Sequence, residues 1–406
     1  MSAFHLGRLA SEGAKKYGDK IALSYRDASG RWLGVSWTVL DRRGNALADT
    51  LLSLGVAVQD KVAIFSQNMV ETIFIDLACQ KIRAVAVPLY ATSSAEQVAY
   101  IVNDAGCKIM FVGEQYQYDQ ALKVLEKSDV LERIITISND IKLADGDSSR
   151  SLENEIRNSQ PNRELEEKDL AAKLEARVSA LNDDDLATLI YTSGTSGEPK
   201  GVMITHSNYS HQMKVHAQVM PNVDETQTSM MFLPSSHIFE RAWDYFVLSR
   251  GGMIYVNSNP KEITATIAET HPNMMCAVPR FWEKVYAAVN AQIENANPIK
   301  KRLFQHALEI GHKHNVEYLS KGKQPPVALE LEYKAIDATI FELIRQEMGL
   351  KHPHFFPTAG AAVSPEVEDF IHSIGIYMMV GYGLTESFAT ASNDHTEGPY
   401  TIGSIG

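Results

Sequence analysis

From residue 60 onward, short apolar runs alternate with longer stretches in which apolar positions recur at helical spacing. A largely parallel α/β sheet produces this pattern, because its strands are covered on both faces while each crossover helix buries only one stripe. Lys61–Phe65, Ala84–Pro88, Lys108–Val112 and Arg133–Ile137 are the expected strands of a first series. Between them the spacing predicts a helix over Val70–Lys81, another capped by Ser94 and running toward Asp104, and a third ending near Lys127. Residues 140–183 change character, with many charges and few β-branched residues. This region reads as a connector carrying a solvated helix over Glu166–Val178.

Leu186–Tyr191 opens a second series. It continues with a helix near His206–Met220, strands near Ser229–Leu233 and Met253–Val256, and a buried-strand candidate at Asn273–Val278. A long helical segment is expected from Phe281 to about Leu350, broken around Gly322 and Gln324–Pro326. The expected fold is α/β: two packed subdomains with largely parallel sheets, residues 1–185 and residues 186–406.

The strand at Leu186 runs into Tyr191-Thr-Ser-Gly-Thr-Ser-Gly-Glu-Pro-Lys200-Gly, a loop of hydroxyls, glycines and one lysine. Glycines let backbone N–H groups approach a ligand, hydroxyls donate to its oxygens, and the lysine adds a mobile positive charge; together they suit a polyphosphate. The usual P-loop pattern fails, because Pro199 precedes Lys200 and Gly201 follows it. A second strand-and-turn, Met378–Ser387, presents Tyr382, Thr385 and Glu386 around Gly383. An aromatic face can stack on a purine, a hydroxyl can donate to phosphate, and a carboxylate can hold Mg²⁺. Thr358–Ser364 is a run of small residues before a helix beginning near Pro365, leaving room for a flat ligand beside the backbone.

The first of these segments resembles the phosphate-binding signature of the acyl-adenylate-forming enzymes, which include acyl-CoA synthetases, firefly luciferase and peptide-synthetase adenylation domains. Ser196 stands where that family more often has Thr. The resemblance implies that Thr192, Ser193, Gly194, Thr195, Ser196, Gly197 and Lys200 hold the β- and γ-phosphates of ATP. It also implies that Tyr382 and Gly383 lie against adenine, that Thr385 contacts the α-phosphate, and that Glu386 holds the metal. Gly360 and Ala361 would form one wall of the adenine site, although the family carries Pro where Ala362 stands.

Phe232–Phe246 resembles the long-chain fatty acyl-CoA synthetases, whose Pro…His-x-Phe-Glu-Arg stretch has its counterpart in Pro234, His237 and Phe239–Arg241. His237 is the candidate at the acyl carboxylate, although a histidine that starts a helix is more often a cap or packing residue. Trp243 and Phe246 are candidates to border an acyl channel, with the core as their ordinary alternative. Ala277–Lys284 and the helical insertion after it point to the same subfamily. His312, His314, His352 and His354 complete no ligand set and are assigned no metal.

The chain has 406 residues, enough for two or three core-bearing units. Its formal net charge of −12 argues against broad nucleic-acid binding. Cys79, Cys107 and Cys276 are widely spaced and read as reduced thiols. The N-terminus has no signal-peptide pattern and no apolar run reaches membrane-spanning length, so a cytoplasmic protein is expected. Peripheral membrane contact and oligomerisation stay open.

The resemblance implies activation of a long-chain fatty acid by ATP to an acyl-adenylate, then transfer to coenzyme A, with Mg²⁺ as cofactor. It spans essentially the whole chain, whereas family members continue past Gly406 into a C-terminal domain with a catalytic lysine. The chain is therefore expected to be a truncated N-terminal portion of low or no activity. Alternatives are an adenylating ligase for an aryl or medium-chain acid, and a non-catalytic nucleotide- or acyl-binding module.

Overall fold

The computed structural model describes residues 4–145, 147, 149–159, 164–193, 197–396 and 399–406, and among these the strands form three sheets. An antiparallel pair comes first, β1 (Ile21–Arg26) and β2 (Trp32–Ser36). Next come β3 (Lys61–Phe65), β4 (Val85–Leu89), β5 (Cys107–Val112), β6 (Arg133–Thr136) and β7 (Arg150–Ser151), joined by parallel pairings. β8 (Leu186–Ser193) adds to β4 in parallel and returns antiparallel as β9 (Pro199–Thr205). The result is a seven-stranded sheet in the order β7-β6-β5-β3-β4-β8-β9.

β10 (Thr228–Met231) and β11 (Met253–Val256) run parallel and dock on β1, giving a four-stranded sheet β10-β11-β1-β2. The third sheet joins β12 (Phe356–Thr358), β13 (Met378–Tyr382) and β14 (Ser392–Asn393). The α/β class with mostly parallel pairing is as expected. The boundary at residue 185 does not separate the sheets, however: β8 closes the open edge of β4, and β1 pairs far along the chain with β11. An apolar run reads as a strand without saying which sheet edge it covers.

The helices up to the phosphate loop are α1 (Leu6–Tyr17), α2 (Trp37–Ser53), α3 (Val70–Lys81), α4 (Ala95–Ala105), α5 (Gln115–Leu125), α6 (Leu152–Asn158) and α7 (Glu164–Ser179). Ser94 caps α4 in a capping box with Gln97, as its position predicts. Along β3 the side chains alternate: Val62 and Ile64 enter a core shared with α1–α3, whereas Ala63 and Phe65 enter one shared with α4 and α5.

After the loop follow α8 (His206–Val219), α9 (Ile238–Ser249), α10 (Ile263–Thr270) and α11 (Pro279–Glu294). Every residue of α3 from Thr72 to Lys81 is buried, and so is every residue of α9 from Glu240 to Leu248. These two helices are enclosed on all sides, which is why neither shows a polar solvent face.

The long helical segment is more broken than the sequence suggests. α11 stops before Asn297, which caps α12 (Pro298–Gly311) with Pro298 in its first turn. Wide π-turns at 312–318 and 337–341 flank α13 (Val327–Ile336), and α14 (Glu342–Glu347) ends the segment. α15 (Pro365–Ser373) begins where expected. Asn273–Val278 forms no strand; among the described residues it makes single bridges, Met274 to Ser229 and Phe355 and Ala277 to Thr358, before Pro279 opens α11. No helix among the described residues is long and apolar enough to cross a membrane.

Candidate active site

β12 and β13 are parallel with Thr358 opposite Val380, so their carboxyl ends lie side by side and bring Ala359–Gly360 next to Gly381–Tyr382. Ligands favour this position in open α/β sheets. Here it opens into a cavity of about 330 Å³ bounded also by α8, α9 and the end of β8. Thr192, His237, Gly360, Tyr382, Gly383, Thr385 and Glu386 all line it.

The turn after β13 owes its shape to a glycine. A Cβ on Gly383 would lie 1.2 Å from the carbonyl oxygen of Ala389, so no other residue fits there without moving the backbone. The chain makes a short 3₁₀ turn over Thr385–Ser387 and leaves it through two consecutive left-handed residues, Phe388 (φ 56°) and Ala389 (φ 68°). That conformation costs a non-glycine residue energy and persists only where the surroundings enforce it. Phe388 is held by burial, edge-on to Tyr209 with ring centroids 4.5 Å apart. Tyr382 and Glu386 are thereby left exposed at the rim, with Thr385 half-buried between them.

His237 is both a cap and a cavity residue. It is the N-cap of α9, and its Nδ1 accepts the backbone N–H of Phe239 at 3.2 Å. With Nδ1 accepting and burial lowering the pKa, the imidazole is neutral and carries its proton on Nε2. Nε2–H is therefore the donor left for a ligand.

Ile238, Ala242, Trp243 and Met379 supply an apolar wall. Trp243 is fixed by its indole N–H, which donates to Ser229 Oγ at 2.9 Å. Phe246 does not line the cavity; it is fully buried behind Trp243, with ring centroids 5.9 Å apart. His216, Met220, Thr390 and Asn393 line the cavity without belonging to any of the chemical motifs read from the sequence. His216 Nε2 lies 2.7 Å from Gln212 and 3.2 Å from Thr390, and burial pulls its pKa down to about 4. Its only sequence signal is a polar residue on the buried face of a helix that follows a ligand loop.

β8 and β9 pair antiparallel, and Thr192 faces Lys200 across that pairing. Gly197 and Lys200 are exposed, and Gly197 has φ 96°. Gly194, Thr195 and Ser196 lie outside the described residues, as does the side chain of Ser193. Lys200 does not line the cavity, and neither does Ala361, which is exposed beside Gly360.

The two residues that complete the His-x-Phe-Glu-Arg run are buried. Glu240 accepts the N–H of Phe232 at 3.2 Å, and burial pushes its carboxyl pKa well up. Arg241 donates to Tyr209 Oη at 2.8 Å and Thr188 Oγ1 at 3.2 Å, and pairs with Asp76. It thus ties α9 to α8, to α3 and to β8, the strand that leads into the phosphate loop.

Among the described residues no group of three or more His, Cys, Asp or Glu could hold a metal ion. Glu386 is a single exposed carboxylate beside a hydroxyl. That donor set fits Mg²⁺, which is commonly bound by one or two carboxylates together with substrate phosphates.

The sequence matches the AMP-binding enzyme family over residues 10–406. It is 28% identical over 359 residues to the long-chain-fatty-acid–CoA ligase FadD15 of Mycobacterium bovis, covering 88% of this chain and 57% of that protein. It is 26% identical over 396 residues to the human long-chain-fatty-acid–CoA ligase ACSBG2, covering 96% and 56%. The chain thus spans a little over half the length of the curated relatives it matches. Its fold is similar to the anthranilate CoA ligase AuaEII in complex with anthranoyl-AMP, with a TM-score of 0.70 at 16% identity over 100% of this chain and 64% of that one. The N-terminal domain of FACL13 from Mycobacterium tuberculosis gives 0.62 at 19% identity, over 97% and 79%. Similarity at these identities is similarity of fold.

Proposed function

Because the chain belongs to the AMP-binding enzyme family, we propose that it binds ATP and a fatty acid for formation of an acyl-adenylate, the first half of an acyl-CoA ligase reaction. The observation that carries this reading is the convergence of His237, Thr192, Gly360, Tyr382, Thr385 and Glu386 on one cavity with an apolar wall. A long-chain acid is favoured by the curated relatives, which are long-chain-fatty-acid–CoA ligases. Complete turnover, with coenzyme A as acceptor, is proposed for a protein of full family length.

Positioning and charge stabilisation do most of the work in such a step. The acid's carboxylate accepts the Nε2–H of neutral His237, which fixes the nucleophilic oxygen without taking its proton. Tyr382 offers an aromatic face to adenine at the rim, while Gly360 lets backbone come close to the base. Thr385 donates to the α-phosphate. Thr192 and Lys200, facing each other across the β8–β9 pairing, hold the departing pyrophosphate. Mg²⁺ on Glu386 would neutralise charge on the phosphoryl oxygens. The carboxylate oxygen attacks the α-phosphorus, the bond to the β-phosphate oxygen breaks, and pyrophosphate leaves.

A second reading, an aryl or medium-chain acid, is favoured by the position of Trp243 in the apolar wall and its fixation by Ser229. Calorimetric titration with hydrolysis-resistant acyl-adenylate mimics separates the two. Each additional buried methylene is worth about 0.8 kcal/mol, so a long-chain mimic should bind far more tightly than a short one if a tunnel continues past Trp243. Equal affinities would favour the compact acid, and no binding of either would overturn the proposed function.

A further inference from the structure

The six residues between β10 and α9, Phe232 to His237, carry the candidate carboxylate ligand and belong to no regular element. Their backbone groups are nevertheless largely accounted for. Phe232 N–H goes to Glu240, and Pro234 has no N–H to satisfy. His237 N–H returns to the Pro234 carbonyl at 2.9 Å, and the His237 carbonyl accepts Arg241 N–H at 3.2 Å.

Two further groups of the loop, Leu233 C=O and Ser235 N–H, are taken by one side chain. Asn68 Nδ2 donates to the Leu233 carbonyl at 2.8 Å, and Asn68 Oδ1 accepts the Ser235 N–H at 3.0 Å. The amide thus stands in for a strand neighbour, reading residues two apart as a ladder partner would. Its orientation is unambiguous, since a flip would set donor against donor and acceptor against acceptor. Asn68 is 6% exposed, so neither bond can be replaced by water without disturbing the packing. It lies in the bend between β3 and α3, just past a strand of the seven-stranded sheet, whereas the loop it grips leaves the four-stranded one.

We propose that Asn68 is a positioning residue for His237, clamping the loop that presents the imidazole to the cavity. Its relevance to acid binding rests on the reading of His237 given above. The clamp itself does not, because it concerns where the ring sits.

The test follows the His237 ring by NMR on histidine-labelled chain, its signal assigned by His237→Gln, with binding of a long-chain adenylate mimic and of ATP measured alongside. Asn68→Ala removes both bonds. Asn68→Asp has the same size and keeps the acceptor for Ser235, so it guards against a variant that simply fails to fold. The expected result is a displaced His237 signal in both variants, larger in Asn68→Ala, with the buried His216 signal in place. Mimic affinity should fall on the order of ten- to hundredfold in Asn68→Ala, and ATP affinity should hold. In the double variant with His237→Gln, the Asn68 effect on the mimic should vanish. A folded Asn68→Asp or Asn68→Ala protein whose His237 signal is unmoved would overturn the clamp. Additive losses in the double variant would also overturn it, by showing that Asn68 acts elsewhere. Should the unaltered chain bind no mimic, the proposed function fails while the NMR result still decides the clamp.

Discussion

Asp76 and Arg241 meet at 2.5 Å, carboxylate oxygen to guanidinium nitrogen, with their side chains only 5% and 4% exposed. Tyr245 donates to the same carboxylate and Gln80 reaches its other oxygen at 2.8 Å, so the charge is enclosed by donors from α3 and α9. Removing one member of such a pair strands the other in the core, at a cost of about 3–5 kcal/mol. Asp76→Ala should therefore lower the urea midpoint sharply. Asp76→Asn, which keeps an acceptor, should cost less. Equal, small losses in both would mean that the pair contributes little.

Gly383→Ala places a methyl group against a backbone carbonyl, which cannot swing aside as a side chain can. Strain of this kind typically costs about 1–3 kcal/mol, and relief requires opening the turn that carries Thr385 and Glu386. Nucleotide binding is expected to drop far more than thermal stability, as read by calorimetry and a melting curve on the same sample.

Lys200→Ala and Glu386→Gln should separate two handling tasks. The first is expected to weaken pyrophosphate binding more than binding of an acyl chain. The second should make nucleotide affinity less dependent on added Mg²⁺. A titration in which metal dependence is unchanged in Glu386→Gln would remove that residue from its assigned role.

Glu368 is fully buried on α15, with Oε2 accepting the Gly403 N–H at 2.9 Å and Oε1 without a partner among the described residues. Burial pushes its pKa up to about 7, with Asp394 and Asp369 adding like charge. A raised carboxyl pKa means that the folded state holds its proton longer than the unfolded chain. The stability this gives is complete below the ordinary 4.5 and is lost as pH rises through about 7. Glu368→Gln mimics the protonated form, so it should match the unaltered protein at pH 4 and exceed it by about 3 kcal/mol at pH 8. Urea unfolding at the two pH values measures the difference.

The strands and helices of the first series were legible because each is a simple period. Lys61–Phe65 and Val70–Lys81 have the boundaries expected of them, and Ser94 caps its helix. Sheet membership was not legible, since β8 and β1 pair with partners that no local pattern names. In the cavity, the residues inside motifs were foreseeable: Tyr382, Thr385 and Glu386 come together because one turn carries them. His216, Met220 and Thr390 were not, because they reach the cavity by tertiary packing. The roles of Glu240 and Arg241 were also hidden, as a charged pair in sequence looks solvated until its burial is seen.

The pairing of β1 with β11 has a consequence for biosynthesis. Leu23 waits for Ile254, so the first hairpin emerges from the ribosome roughly 230 residues before its sheet partner exists. At about 5–20 residues per second that interval is on the order of 10–50 s. During it, the edge of β1 that will pair with β11 has no strand to bond its backbone N–H and C=O groups. Nascent chains stalled before residue 250 should therefore be bound by chaperones that recognise exposed apolar strands, and released once β11 has cleared the exit tunnel.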